Sequence, residues 1–138
     1  MKSIDEIKQE IVEEFAAFDD WMDKYAYLIE VGTALPAMEE RWKGDENLIK
    51  GCQSRVWLHA EARDGRLYLQ ADSDAIITKG MVALLVRVFS GQPPAGIEAA
   101  GLEFIDEIGL RDHLNPTRSN GLLAMVKQIK YYAIAFKG

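Results

Sequence analysis

The strongest constraint on this chain is an alternation. Val56, Leu58, Ala60 and Ala62 interleave with Trp57, His59, Glu61 and Arg63, and then Leu67, Leu69 and Ala71 interleave with Arg66, Tyr68 and Gln70. A period of two marks a strand with one buried face. Asp64-Gly65 joins the two runs, and such a dipeptide readily takes the backbone angles of a two-residue hairpin turn. An antiparallel hairpin with one apolar face follows, and because an isolated hairpin is marginal in water, other elements must cover that face. A short strand over Leu48 to Lys50 would complete a small antiparallel three-stranded sheet.

Helices supply the cover. Ser3 and Glu6 have capping-box spacing, so a helix begins at Ile4 with Ile4, Ile7, Ile11, Phe15 and Phe18 on one stripe. Glu6, Lys8, Glu10, Glu13 and Glu14 read as its solvated face. Asp19 or Asp20 caps a second helix, with Trp21, Tyr25, Leu28 and Ile29 inward and Gly32 as its stop. Leu35-Pro36 is extended, residues from Ala37 to Trp42 make a short helical turn, and Lys43 to Asn47 a polar loop. Beyond the hairpin, Ser73 or Asp74 caps a helix whose apolar face is Ile77, Met81, Leu84, Leu85 and Val88, ending at Ser90-Gly91. Pro93-Pro94 opens a short helix reaching to Gly101, and another short helical segment falls within Leu102 to Leu110. Asn115-Pro116 breaks the chain, and Ser119 or Asn120 caps a last helix with Leu122, Met125, Val126, Ile129, Ala133 and Phe136 inward. The expected fold class is α+β, a small sheet flanked by helices, in a single domain over residues 1–138.

Composition narrows the function. A net charge of −6 and a pI near 4.9 argue against nucleic acid, whose phosphates require a basic face. The N-terminus lacks the apolar core of a signal peptide and no run is long enough to span a bilayer, so no membrane role is expected. The single cysteine rules out an internal disulfide and any Cys-only metal site, and neither histidine has a close cysteine partner, so no metal is expected. A free thiol fits the reducing cytoplasm.

That cysteine, Cys52, follows Gly51 and precedes the first strand, in the run Ile49 to Trp57. Gly51 permits a tight loop, and Lys50 and Arg55 flank the thiol with charges that favour the nucleophilic thiolate. A free cysteine is also commonly an inert small apolar side chain, and on spacing alone that reading comes first. A Cys-dependent hydrolase would pair Cys52 with His59, on the polar face of a strand, or with His113, in a loop. By themselves Asp72, Ser73 and Asp74 read as a strand end and helix cap, and Arg118 as a solvated loop residue.

Gly51-Cys52-Gln53-Ser54-Arg55-Val56-Trp57 resembles the G-C-Q-S-x-V-W signature of the SufE family. Trp21, Lys24, Tyr25, Leu28, Ile29, Gly32, Leu35 and Pro36 are similar to its upstream pattern. Asp72-Ser73-Asp74-Ala75 with Lys79-Gly80 resembles its D-S-D-A segment, and Pro116-Thr117-Arg118-Ser119-Asn120-Gly121-Leu122 its P-S-R-S-x-G-L segment, with Thr117 a departure. The resemblance implies a fold like that of the IscU-type scaffolds and a sulfur acceptor that activates a pyridoxal-phosphate-dependent cysteine desulfurase. Cys52 would carry the persulfide and pass its sulfur to an iron–sulfur scaffold complex. Gly51, Gln53 and Ser54 would shape the loop, and Asp74 and Arg118 would meet the partner. No cofactor of the chain's own is implied. A homodimer stays open.

Overall fold

The computed structural model describes residues 2–50, 54–101, 103–109 and 116–136. In chain order the elements are α1 (Ile4–Ala16), α2 (Trp21–Thr33), 3-10 turns at Glu40–Trp42 and Asp45–Asn47, β1 (Val56–Arg63), β2 (Arg66–Ser73), α3 (Ile76–Phe89), α4 (Pro94–Ala99), α5 (Glu103–Glu107) and α6 (Pro116–Phe136). The fold is α+β, with helices packed on one face of an antiparallel hairpin.

β1 and β2 pair from Val56 opposite Ser73 to Arg63 opposite Arg66. Asp64 and Gly65 both take positive φ, 52° and 76°, which closes the two-residue turn and fixes this register. The inner face, Val56, Leu58, Ala60, Leu67, Leu69 and Ala71, is buried, whereas Ala62 falls at the exposed tip. α3 covers that face and is itself buried on most sides, at Met81 to Leu85, Val88 and Phe89. Leu122, Met125, Val126, Ile129 and Ala133 of α6 complete the same core.

Among the described residues the sheet has two strands, not three. Leu48 opposes Trp57 in a single bridge, closed by the Ile49 N–H donating to the Val56 carbonyl (2.9 Å). No ladder grows from it, because the preceding residues are wound into the Asp45–Asn47 turn and Arg55 directs its backbone groups to β2's far end instead.

Ser3 and Glu6 form the capping box of α1, and Ile4, Ile11 and Phe15 are its buried stripe. Its other face is less solvated than the sequence suggests. Lys8 is only 9% exposed and its ammonium donates to the Gly101 carbonyl at 2.7 Å, its stem lying along the core edge. Glu14 and Glu10 accept hydrogen bonds from Arg87 of α3. Asp20 caps α2 through the Asp23 N–H at 2.9 Å.

Gly32 lies inside α2 rather than ending it. A Cβ there would sit 2.9 Å from the Gly80 nitrogen, and one on Gly80 would sit 2.4 Å from the Leu28 carbonyl oxygen. The two glycines let α2 and α3 meet backbone to backbone, which is the reason for glycine at both places. α6 starts at Pro116, before Ser119 and Asn120, since proline's fixed φ suits the first turn of a helix.

Candidate functional site

The segment carrying the only cysteine is held at both ends. Gly51, Cys52 and Gln53 lie outside the described residues, as does His113. Lys50 is exposed on the entering arm and Ser54 half-buried at the start of the leaving arm. The entering arm is tied by the Ile49–Val56 bond. The leaving arm is tied to the junction between β2 and α3. Asp74 accepts from the Arg55 N–H at 3.0 Å and its own N–H donates to the Arg55 carbonyl at 3.2 Å, while the Ser73 hydroxyl donates to that carbonyl at 2.9 Å. Each such bond contributes about 1 kcal/mol net, so together they fix the arm without burying it.

This geometry revises the reading of Ser73 and Asp74 as helix caps. The cap position of α3 is Ala75, which makes no side-chain cap bond, because the Asp74 carboxylate is turned back to the loop arm. The Ser73 hydroxyl still accepts from the Ala75 N–H at 3.3 Å. Asp72, the preceding residue, is paired with Lys43 at 2.8 Å and Lys79 at 3.3 Å and accepts from the Ser73 N–H at 2.8 Å. Burial pushes the Asp72 carboxyl up, but these donors and charges outweigh it and hold the group below the usual aspartate range. The hydrogen bond to Asp72 correspondingly raises the Lys43 ammonium.

The short helical turn expected between Ala37 and Trp42 is present as the Glu40–Trp42 turn, but sequence reasoning missed that residues 39–47 form a strap across the hairpin's outer face. Trp42 stacks on His59 with ring centroids 3.6 Å apart and planes 8° from parallel. Glu39 and Gln70 exchange two hydrogen bonds, at 3.1 and 2.9 Å. His59 Nε2 lies 3.1 Å from Glu61, so this histidine is engaged by its own strand and by the strap. Arg118 is in the first turn of α6; its side chain lies outside the described part of the molecule.

Two spaces adjoin the arms. Beneath the Ile49–Val56 bridge, Ile49, Val56, Val82, Val86, Met125 and Ile129 line an apolar nook with about 10 Å³ of free space. That is far below the roughly 300 Å³ of an ordinary small-molecule site. Beside it an open groove of about 670 Å³ runs between residues 46–50 and Ala124, Lys127, Gln128, Tyr131 and Tyr132 of α6. Among the described residues no group of three or more His, Cys, Asp and Glu side chains is placed to hold a metal ion, and no helix is long and apolar enough to cross a membrane.

An antiparallel hairpin with helices packed on one face makes this a small α+β protein. The solution structure of a hypothetical protein from Thermus thermophilus shares this fold, with a TM-score of 0.78 over 94% of each chain at 19% identity. The chain belongs to the SufE family: that family's profile, described as an Fe-S metabolism associated domain, matches residues 9–133. An uncharacterised SufE-like protein of Rhizobium meliloti is 41% identical, covering 94% of both chains. Another, from Rhizobium etli, is 39% identical, covering 94% of this chain and 88% of its own. Membership places the chain in iron–sulfur metabolism.

Proposed function

We propose that this protein is a cytoplasmic sulfur acceptor and activator of a pyridoxal-phosphate-dependent cysteine desulfurase, acting as one SufE-like domain over residues 1–138. The supporting observation is that its only cysteine falls in the G-C-Q-S-x-V-W run of a SufE chain, between two arms that are separately tied to the hairpin. The desulfurase, not this chain, carries the cofactor and presents a cysteine persulfide. The Cys52 thiolate attacks the outer sulfur of that persulfide. One S–S bond forms on Cys52, the partner's S–S bond breaks, and the electron pair leaves with the partner's cysteine as thiolate, so no oxidant is consumed. The sulfur then passes to an iron–sulfur scaffold.

The other residues take supporting roles in this reading. Gly51, Gln53 and Ser54 shape the loop; Asp74 holds its leaving arm through Arg55; Arg118, at the start of α6, offers a cation to the partner. A thiol that exchanges sulfur with another protein requires a surface rather than a pocket, and the small nook and open groove beside the arms suit that. Cys52→Ser should abolish desulfurase stimulation while changing unfolding free energy by less than about 1 kcal/mol, since one atom changes in a loop. Full stimulation by this variant would refute the reading.

A further inference from the structure

Residues 39–50 include no buried side chain, and the last buried one before them is Met38, 4% exposed. Only Ile49, at the end of this stretch next to the cysteine segment, packs against the core, and its N–H bonds the Val56 carbonyl. The rest is fixed at two neighbouring cross-strand pairs on the hairpin's outer face. Trp42 and Glu39 take the pair His59 and Gln70. Lys43 takes the next pair, Trp57 and Asp72, which is nearer the loop; its Nζ is 2.8 Å from Asp72 Oδ2 and 5.9 Å from the Trp57 ring centroid.

Among the described residues, Lys43–Asp72 is the single ion pair between strap and hairpin, and its side chains are only 22% and 16% exposed. The other two ion pairs of the strap, Arg41–Glu39 and Lys43–Glu40, are internal to it and reach into solvent. Asp72 also begins the segment whose next two residues hold Arg55. One short segment thus grips both arms: Ser73 and Asp74 the leaving arm directly, Asp72 the entering arm through Lys43.

We propose that Lys43 is a positioning residue for sulfur acceptance, pinning the strap to Asp72 and so holding the Leu48 to Lys50 arm where the cysteine loop must meet the desulfurase. This inference rests on the sulfur-acceptor reading. Loss of Lys43 leaves Asp72 paired with Lys79, so no buried charge is orphaned and the hairpin itself should stand. The cost should appear where the arm is thinly held, at the Ile49 N–H, because local opening draws on local contacts.

The test compares Lys43→Met, Lys43→Arg and wild type by amide hydrogen exchange and by desulfurase turnover against acceptor concentration. Lys43→Met should speed exchange at Ile49 about fivefold, or about 1 kcal/mol of opening, with Leu69, deeper in the hairpin, unchanged. It should also raise the half-saturating acceptor concentration about three- to tenfold with kcat nearly kept, while Lys43→Arg, which keeps charge and reach, restores both. Unchanged Ile49 exchange in Lys43→Met overturns the proposal, and so does faster exchange with unaltered half-saturation. If Lys43→Met loses the fold, Asp72→Asn breaks the same pair and is judged by the same two readouts. A wild-type protein that gains no sulfur would refute the acceptor reading itself, and the exchange comparison would still decide whether Lys43 holds the arm.

Discussion

The inner and outer faces of the hairpin differ in what separation would cost. On the inner face Val56, Leu58, Leu67 and Leu69 are buried in one core cluster with residues of α3 and α6, and each such side chain contributes roughly 1.5–3 kcal/mol. The outer face is joined to the strap and loop arms by single hydrogen bonds, one ion pair and one ring stack, each contributing about 1 kcal/mol or less. Packing makes the inner face one cooperative unit; the outer face can open contact by contact. In the proposed acceptor reading, the segment that would meet a second protein is thereby attached to a rigid base by contacts weak enough to yield.

The largest effect that would break this contrast lies at the α2–α3 crossing. Gly80→Ala puts a carbon 2.4 Å from the Leu28 carbonyl oxygen, an unyielding backbone atom, so the helices must separate. We expect a loss of about 3 kcal/mol in chemical denaturation, the upper end of overpacking costs. A loss below about 1 kcal/mol, the lower end of that range, would show that this side is as yielding as the other.

Asp74→Ala sharpens the opposite half. Asp74 is exposed and its carboxylate serves the Arg55 N–H, so global stability should fall by about 1 kcal/mol or less while Arg55 amide exchange quickens severalfold. A multi-kcal/mol loss of stability would place the arm inside the cooperative core.

The smallest effect is spectroscopic. Tyr27 of α2 is partly buried and donates to Glu14, which Arg87 holds bidentately at 2.7 and 2.6 Å. Burial first, then the hydrogen bond and charge of Glu14, push the phenol up to about 12. With the folded value above the unfolded value of about 10, the contribution to stability is complete below pH 10 and is lost as pH rises towards 12. Absorbance titration should therefore show Tyr27 ionising late, and a Tyr27→Phe variant should lose that late step; no late step in the wild type would mean the network is open to water.

What the sequence made legible follows the same division. Alternation and Asp64-Gly65 defined the hairpin because a buried face imposes a period and a two-residue turn imposes a register. Helices α1 and α2 were readable from apolar spacing and their N-terminal caps, α3 from apolar spacing alone, and α4 from Pro93-Pro94. The turn at Glu40–Trp42 was readable, but the strap's grip on the hairpin was not, because it depends on isolated partners, Trp42 with His59 and Lys43 with Asp72, that lie far apart in the chain. Gly32 was misread as a helix stop because a glycine needed for close approach looks the same in sequence as one needed for a left-handed turn. Asp74 was misread as a cap because its true partner, the Arg55 N–H, is across the hairpin. The cysteine motif was conspicuous as a resemblance, whereas its spacing alone left the thiol's role open.

The central claim, that Cys52 receives sulfur, is tested most directly by mass spectrometry of the intact protein after incubation with desulfurase and free cysteine, followed by peptide mapping. The account predicts a gain of one sulfur atom, reversed by a thiol reductant and located on the peptide containing Cys52. An unchanged mass under conditions where the desulfurase itself carries persulfide would contradict it.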